Sequence, residues 1–275
     1  MPISPELSSL LSTRASKLLQ DFEERLGHLN TFTRGVTLAW DPRPTDGPRL
    51  HNHYIDLLVT TYAAKYTSFA AIMLDGLNRL NYFAYALAAR ALVEMAATLR
   101  YYVETQYRPL LDSHPIDARI LAIHEKHLRG TRFDWPAYIA EDYAKMAETN
   151  AKRIAGDKSI DVTGGILEKQ TNVITCVEKW AKEAPVILIL YELLCDLVHP
   201  NIGSTFLTSY AKDGRLFFGV AEGAPIGHML FEQSFPWLLS VVHKGFNRYF
   251  FLLLSMKYQP DELSPLAAPD EQLGR

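Results

Sequence analysis

Cysteine is scarce in this chain: Cys176 and Cys195 are the only two in 275 residues. Both fall in segments that read as helix, so no disulfide scaffold is expected and a reducing cytoplasm is the default compartment. No excess of either charge is present. The formal net charge of −3 removes the global electrostatic case for a nucleic-acid or acidic-membrane binder, while leaving room for a local RNA site. Met1 to Leu11 has neither a basic start nor a long apolar core, so no signal peptide is read. No internal repeat and no low-complexity tract is evident. The glycine-bearing stretch from Ala155 to Gly165 lacks the Gly-Lys-Ser/Thr ending of a phosphate loop. The most membrane-like segment, Phe235 to Tyr258, carries His243, Lys244 and Arg248, which makes a span costly. It reads as a core helix, and no membrane partner is expected.

What is present is an ordinary globular composition, 48% hydrophobic and 21% charged, with apolar residues recurring mostly at three-to-four spacing. The pattern predicts a mainly α fold, a bundle of about seven or eight helices with a small β-hairpin inserted before the last helix. Residues 1–258 read as one helical domain, and the Pro-, Glu- and Asp-rich tail 259–275 as disordered. Ser4-Pro5 offers an N-cap and a first-turn proline for an amphipathic helix through Leu26. A second helix is predicted from Asn52 to Leu74, ending near Gly76. His51 and His53 stand at its start, one residue apart and with no third ligand in view, so no metal site is expected there. A fourth helix opens at Ser113-His114-Pro115. Its His124 and His127 are expected on a solvated face. In a fifth helix capped by Asp134, Tyr138, Ile139, Tyr143 and Met146 are expected to face inward. A sixth, Asn172 to Lys182, presents Val173, Val177 and Trp180. Thr205–Tyr210 and Leu216–Val220 flank Asp213-Gly214 as a hairpin within about 204–221, expected to pack on the bundle behind His199. The last helix, Ile226 to Lys257, is expected to kink at Pro236.

Two helices read as central because they are apolar nearly all round. One is Asn81 to Gln106, whose Ala-rich body carries Arg90 and Glu94, four apart and therefore neighbours on one face. Charges buried in such a helix must be paired. The other starts at Pro185 and ends in Tyr191-Glu-Leu-Leu-Cys-Asp-Leu-Val-His-Pro-Asn201. There Pro200 disfavours helical geometry at His199 and stops the helix. Tyr191, Cys195 and His199 share a face, with Glu192 and Asp196 on an adjacent stripe. Tyr191, Asp196 and His199 are the candidate partners of Arg90 and Glu94. Structural roles, an ion pair fixing helix register and a helix-ending His with Asp196 as its partner, compete with a functional polar cluster.

Ala-Arg90-Ala-Leu-Val-Glu94 followed by Arg100-Tyr-Tyr, the Tyr191-x-x-Leu-Cys-x-x-Val-His199-Pro-Asn201 ending, and the Gly130-Thr-Arg-Phe-Asp-Trp135 turn together resemble uncharacterised bacterial proteins related to the HEPN (higher eukaryotes and prokaryotes nucleotide-binding) superfamily. The resemblance touches residues from about 50 to 205. It implies a compact helical bundle, a homodimer, and a place in RNA processing or anti-phage defence. Ribonuclease members of that superfamily separate an Arg from a following His by four to six residues. Upstream of His199 those positions hold Glu192, Leu193 and Leu194. Arg119…His124 and Arg108…His114 do show the spacing, but no more often than chance supplies. The resemblance therefore implies a helical module binding RNA, a nucleotide or a protein partner, without a cofactor or metal. Its alternative is a metal-independent ribonuclease in which Arg90 reaches His199 across helices. In that case His199 acts as general acid/base, Arg90 stabilises phosphate charge beside Glu94, and Tyr191, Asp196 and Asn201 contact the ligand. A third reading, a helical enzyme on a small apolar substrate, rests only on the 14 Tyr and 13 Phe.

Overall fold

The computed structural model describes residues 4–34, 36, 38, 47–110, 118–129, 135–155, 172–219 and 224–258. The tail 259–275, the loop after Ala155, the Asp134 cap and the opening at Ser113 lie outside the described residues. The chain is mainly α, as the periodicity predicts. Its helices are α1 (Pro5–Leu10), α2 (Thr13–Arg34), α3 (Gly47–Asn78), α4 (Tyr82–Tyr101), α5 (Ala118–Arg129), α6 (Trp135–Ile139), α7 (Tyr143–Ile154), α8 (Val173–Ala181), α9 (Val186–Val198), α10 (Ile202–Thr208), α11 (Ala224–Trp237) and α12 (Lys244–Ser255). Two π-helical segments interrupt this order, Tyr102–Tyr107 after α4 and Leu238–His243 between α11 and α12. The one sheet among the described residues is a hairpin of β1 (Ser209–Lys212) and β2 (Arg215–Phe218).

The middle of the bundle is α4. It packs against α3, α8, α9, α11 and α12, and its Ala86, Ala88, Ala89, Ala96 and Ala97 are buried. Small side chains let neighbouring backbones come close, which explains why this helix can be touched on so many sides. Asn81 caps it, its side chain accepting from the Ala84 N–H at 3.0 Å. Glycine is expected to break α3 at Gly76, yet the helix runs on to Asn78 and the chain reverses at Leu80, which takes φ 53°. Gly76 serves close approach instead. A Cβ there would lie 3.0 Å from the Ala84 Cβ and 3.1 Å from the Asn81 carbonyl oxygen.

The first predicted helix is two helices. Ser4 caps α1 as expected, but Leu11 is extended and Ser12 starts α2, its hydroxyl accepting from the Ala15 N–H at 3.2 Å. Thr205–Thr208, expected as strand, is helical. Asn201 and Ser204 form a capping box that opens α10, and only from Ser209 does the chain become strand. Asp213 and Gly214 make the expected turn, both at positive φ. The hairpin does not pack on the bundle: of its eight residues only Ser209 is buried. The inward orientation expected for Tyr138, Ile139 and Tyr143 is also wrong, since all three are exposed and Met146 is only half-buried. These α6 and α7 positions follow a helical period, but little of the bundle covers them. Pro236 sits inside α11 as anticipated, and the π segment begins two residues later.

One contiguous buried cluster runs from Leu7 on α1 to Leu253 on α12. By length and composition α3 and the helical run Tyr82–Leu110 are each apolar enough to cross a membrane, as are α9 and α10 taken together with a bend of 68°. About half of the most apolar stretch of α3 and of Tyr82–Leu110 is buried inside the fold.

Helices α11 and α12 close on aromatic rings through two glycines. A Cβ at Gly227 would collide with the Tyr82 ring, and one at Gly245 would stand 2.6 Å from the Trp180 ring. Each ring is buried and cannot swing away cheaply. Gly227→Ala and Gly245→Ala are each expected to lower stability by about 1–3 kcal/mol in urea denaturation, against the usual gain from Gly→Ala in a helix. No loss in either variant would contradict the packing.

Candidate functional site

The polar group expected on α4 forms, and its membership is settled by hydrogen bonds. Arg90 Nε donates to Glu94 Oε1 at 3.0 Å, and the Tyr191 hydroxyl, from α9, donates to the same oxygen at 3.2 Å. The guanidinium carbon lies 5.8 Å from the Tyr191 ring centre. Partial burial opposes the charge of Arg90, but Glu94 and Tyr191 more than offset it and hold its pKa above the ordinary value. Burial and the Glu94 carboxylate push the Tyr191 hydroxyl up to about 12. The three groups answer one another, but Arg90 and Glu94 are only half-buried, not enclosed as the apolar helix predicts.

His199 stands apart from them. It is the exposed C-cap of α9, extended at φ −80° and ψ 151°, and a helical rise puts it about 12 Å along the axis from Tyr191. No hydrogen bond joins it to Arg90 among the described residues. Asp196 and Asn201 meet each other: the Asn201 amide donates to Asp196 Oδ1 at 2.6 Å. Both belong to the corner between α9 and α10, where Asn201 also accepts from the Ser204 N–H at 3.2 Å. The Asp196 carboxylate lies directly over Gly203, near the N-terminal end of α10, where a negative charge is favourable.

Glu94 also faces a cleft. A cavity of about 290 Å³ opens between α3, α4, α5 and α8, lined by Leu58, Thr61, Tyr62, Lys65, Phe69, Ala91, Glu94, Met95, Thr98, Lys126, His127, Leu128 and Val173. Its lining mixes aliphatic and aromatic side chains with the hydroxyls of Thr61 and Thr98 and the charged groups of Lys65, Glu94 and Lys126. Lys65 and Lys126 are exposed and form no ion pair among the described residues. The helix that carries Lys126 was expected to turn its histidines to solvent, and this expectation fails. His124 is fully buried and His127 half-buried.

Behind the cleft these histidines belong to a stack of tyrosine and imidazole rings. The Tyr62 hydroxyl and His127 Nε2 are 2.7 Å apart, with the rings nearly parallel. Tyr102 covers His127, its ring centre 4.2 Å away. The Tyr102 hydroxyl is hydrogen-bonded to His124 Nδ1, and the Tyr107 hydroxyl to His51 Nε2. His51 and His124 lie 5.0 Å apart, edge to face. The π-helical segment makes this possible. Its i→i+5 period brings Tyr102 and Tyr107 onto one face, and their rings stack 6.0 Å apart at 9°. Burial lowers the pKa of every imidazole here: His124 to about 3, helped by His51 and His127, and His127 to about 4, helped by Lys65. His51 is lowered by burial as well, with Asn52 opposing. All three are therefore neutral at pH 7.

The sequence held a signal for this stack. His124 is four residues from both Ile120 and Leu128, and His127 four from Ile123, so both continue the apolar side of α5. Their partners lie on α3 and beyond α4, and no local spacing names them. Among the described residues no three His, Cys, Asp or Glu side chains come together as a metal site. Burial pushes the Cys176 thiol up to about 11, which leaves it a poor nucleophile. Compared with known proteins, the chain matches no family model, no curated protein and no solved structure.

Proposed function

We propose that the protein is a helical binding module whose cleft between α3, α4, α5 and α8 holds a nucleotide-sized anionic ligand. The observation that carries this reading is the pair Lys65 and Lys126, two cations that form no ion pair among the described residues, on a cleft lined by Tyr62, Phe69, Met95 and His127. Aromatic and aliphatic walls suit the flat, poorly hydrated face of a base, and ammonium groups suit a phosphate. Glu94 accepts two hydrogen bonds on one oxygen, which leaves its second oxygen able to take an exocyclic N–H. The cavity is at the small end for ligand pockets, so a mononucleotide or the terminal nucleotide of an RNA fits the scale better than a duplex.

This reading keeps the binding half of what the resemblance implies and does not need the ribonuclease half. Arg90 is committed to Glu94, and His199 lies away from it. The test is calorimetric titration with AMP and with a short single-stranded RNA, at low and high salt, for the wild type and the Lys65→Ala/Lys126→Ala variant. The wild type is expected to bind, more weakly at high salt, and the variant to lose at least tenfold in affinity. His199→Ala is expected to bind like the wild type, and RNA is expected to remain intact in every sample. Failure of the wild type to bind either ligand would sink the proposal.

A further inference from the structure

Among the stacked imidazoles only His127 lines the cleft. Its ring is held against Tyr102 and Tyr62. Its Nε2 is 2.7 Å from the Tyr62 hydroxyl, which has no other hydrogen-bond partner among the described residues. Tyr62 is buried, and a buried hydroxyl left without an acceptor is costly. The hydroxyl therefore donates and Nε2 accepts, which leaves the proton of the neutral ring on Nδ1. Nδ1 makes no hydrogen bond among the described residues, and it is not sealed from solvent as His124 Nε2 is. The fold thus presents an N–H donor, fixed in tautomer, to a cleft that also holds Lys65 and Lys126.

We infer that His127 is the third anion-binding group of this cleft, its Nδ1–H donating to the ligand's phosphate, and that the ring takes up a proton as the ligand binds. This holds only if the cleft takes an anionic ligand, as proposed above. The groups around the ring set the sign. From α3, Lys65 opposes a charge on His127 and, after burial, holds the imidazole at about 4. On α5, Lys126 stands beside it in the chain, and His124 is neutral, held at about 3. Glu94 of α4 shares the cleft, but Arg90 answers its charge. The Tyr102 hydroxyl and the Cys176 thiol of α8 are both pushed up and stay uncharged. A phosphate paired with the two lysines and set against Nδ1 removes the opposition and favours imidazolium. Nε2–H then donates to the Tyr62 oxygen, and Tyr62, which also lines the cleft, turns its own proton toward the ligand. The added proton comes from solvent, and no covalent bond to the ligand forms. Because binding raises the pKa of His127, affinity rises as the pH falls through the raised value.

Calorimetric titration with the methyl phosphodiester of AMP tests this, since that ester keeps the same charge across the range. The wild type is expected to bind it at least threefold more tightly at about pH 6 than at about pH 7.5, with proton uptake at the lower pH seen as a heat that depends on the buffer's ionisation. His127→Gln keeps an N–H donor but cannot become charged, and is expected to bind without pH dependence. Imidazole NMR of the wild type reads the residue directly. At about pH 6 His127 is expected to be neutral in the free protein and more than half charged with ligand bound. Should His127→Gln misfold, the NMR titration decides. Equal affinity at both pH values, or a pH dependence that folded His127→Gln retains, overturns the inference and leaves the cleft as the binding site. Failure of both AMP and its ester to bind at either pH removes that site and the inference with it.

Discussion

Between pH 7 and pH 5 the protein is expected to lose about 4 kcal/mol of stability from two side chains alone, His124 and His243. Each is almost completely buried. Burial lowers His243 to about 4, helped by Arg25, and His124 to about 3. His243 is held neutral between the Tyr66 hydroxyl at 3.0 Å and Asn247 at 3.1 Å. In the unfolded chain both titrate near the ordinary histidine value of 6.5. Between that value and the folded one the unfolded state binds more protons. The stabilisation is therefore complete above about pH 6.5 and drains away as the pH falls toward 4. Each pH unit costs about 1.4 kcal/mol per group. Since whole domains are stable by only about 5–15 kcal/mol, acid should bring this fold close to unfolding, and His127 adds in the same direction. Urea denaturation at half-unit steps measures the slope, and His243→Gln should reduce it by about one proton. Stability flat between pH 7 and pH 5 would show that these imidazoles are not buried.

Tyr102→Ala is expected to be the most damaging single substitution, at about 4 kcal/mol or more. The ring is fully buried between Tyr107 and His127. Its loss opens a cavity beneath the cleft, and His124 Nδ1 loses the one hydrogen bond it makes among the described residues. His124 Nε2 already has no hydrogen-bond partner among the described residues, so the ring would be left with none. Tyr102→Phe separates the two contributions. It keeps the packing, removes the hydroxyl, and is expected to cost about 1–3 kcal/mol. If ligand binding depends on the cleft wall, Tyr102→Phe should retain it, because the His127 face stays covered. Equal losses from Ala and Phe would mean that the hydrogen bond, rather than the packing, holds the stack.

How much of this was legible in the sequence depends on the range of each interaction. The apolar periodicity gave the helices, because a helix face is a local pattern. Arg90 and Glu94 announced each other by a four-residue step in an otherwise apolar helix, and the only other helix of that kind offered Tyr191, Asp196 and His199 as partners, of which Tyr191 alone reaches Glu94. Asp213-Gly214 announced the turn by its tolerance of positive φ. What failed was non-local or competing. Thr205 to Thr208 reads as strand by its own residues, but Asn201 and Ser204 cap a helix there and the cap wins. Tyr138, Ile139 and Tyr143 follow a helical period on elements that little of the bundle covers, and period alone does not say what lies opposite. His124 and His127 looked solvated because histidine is polar. Their partners, Tyr62 and Tyr102, lie 65 and 22 residues away, and the second is presented by a π-helical turn that no propensity foretells.

The proposed ligand site is the cleft beside Glu94, Lys65 and Lys126. The most direct measurement is methyl NMR of protein labelled at methionine, titrated with AMP. Met95 lines the cleft, whereas Met229 is exposed on α11, which contributes no residue to it. The Met95 resonance should shift progressively and saturate while Met229 stays still. Movement of Met229 alone, or no movement of either at saturating nucleotide, would contradict the assignment.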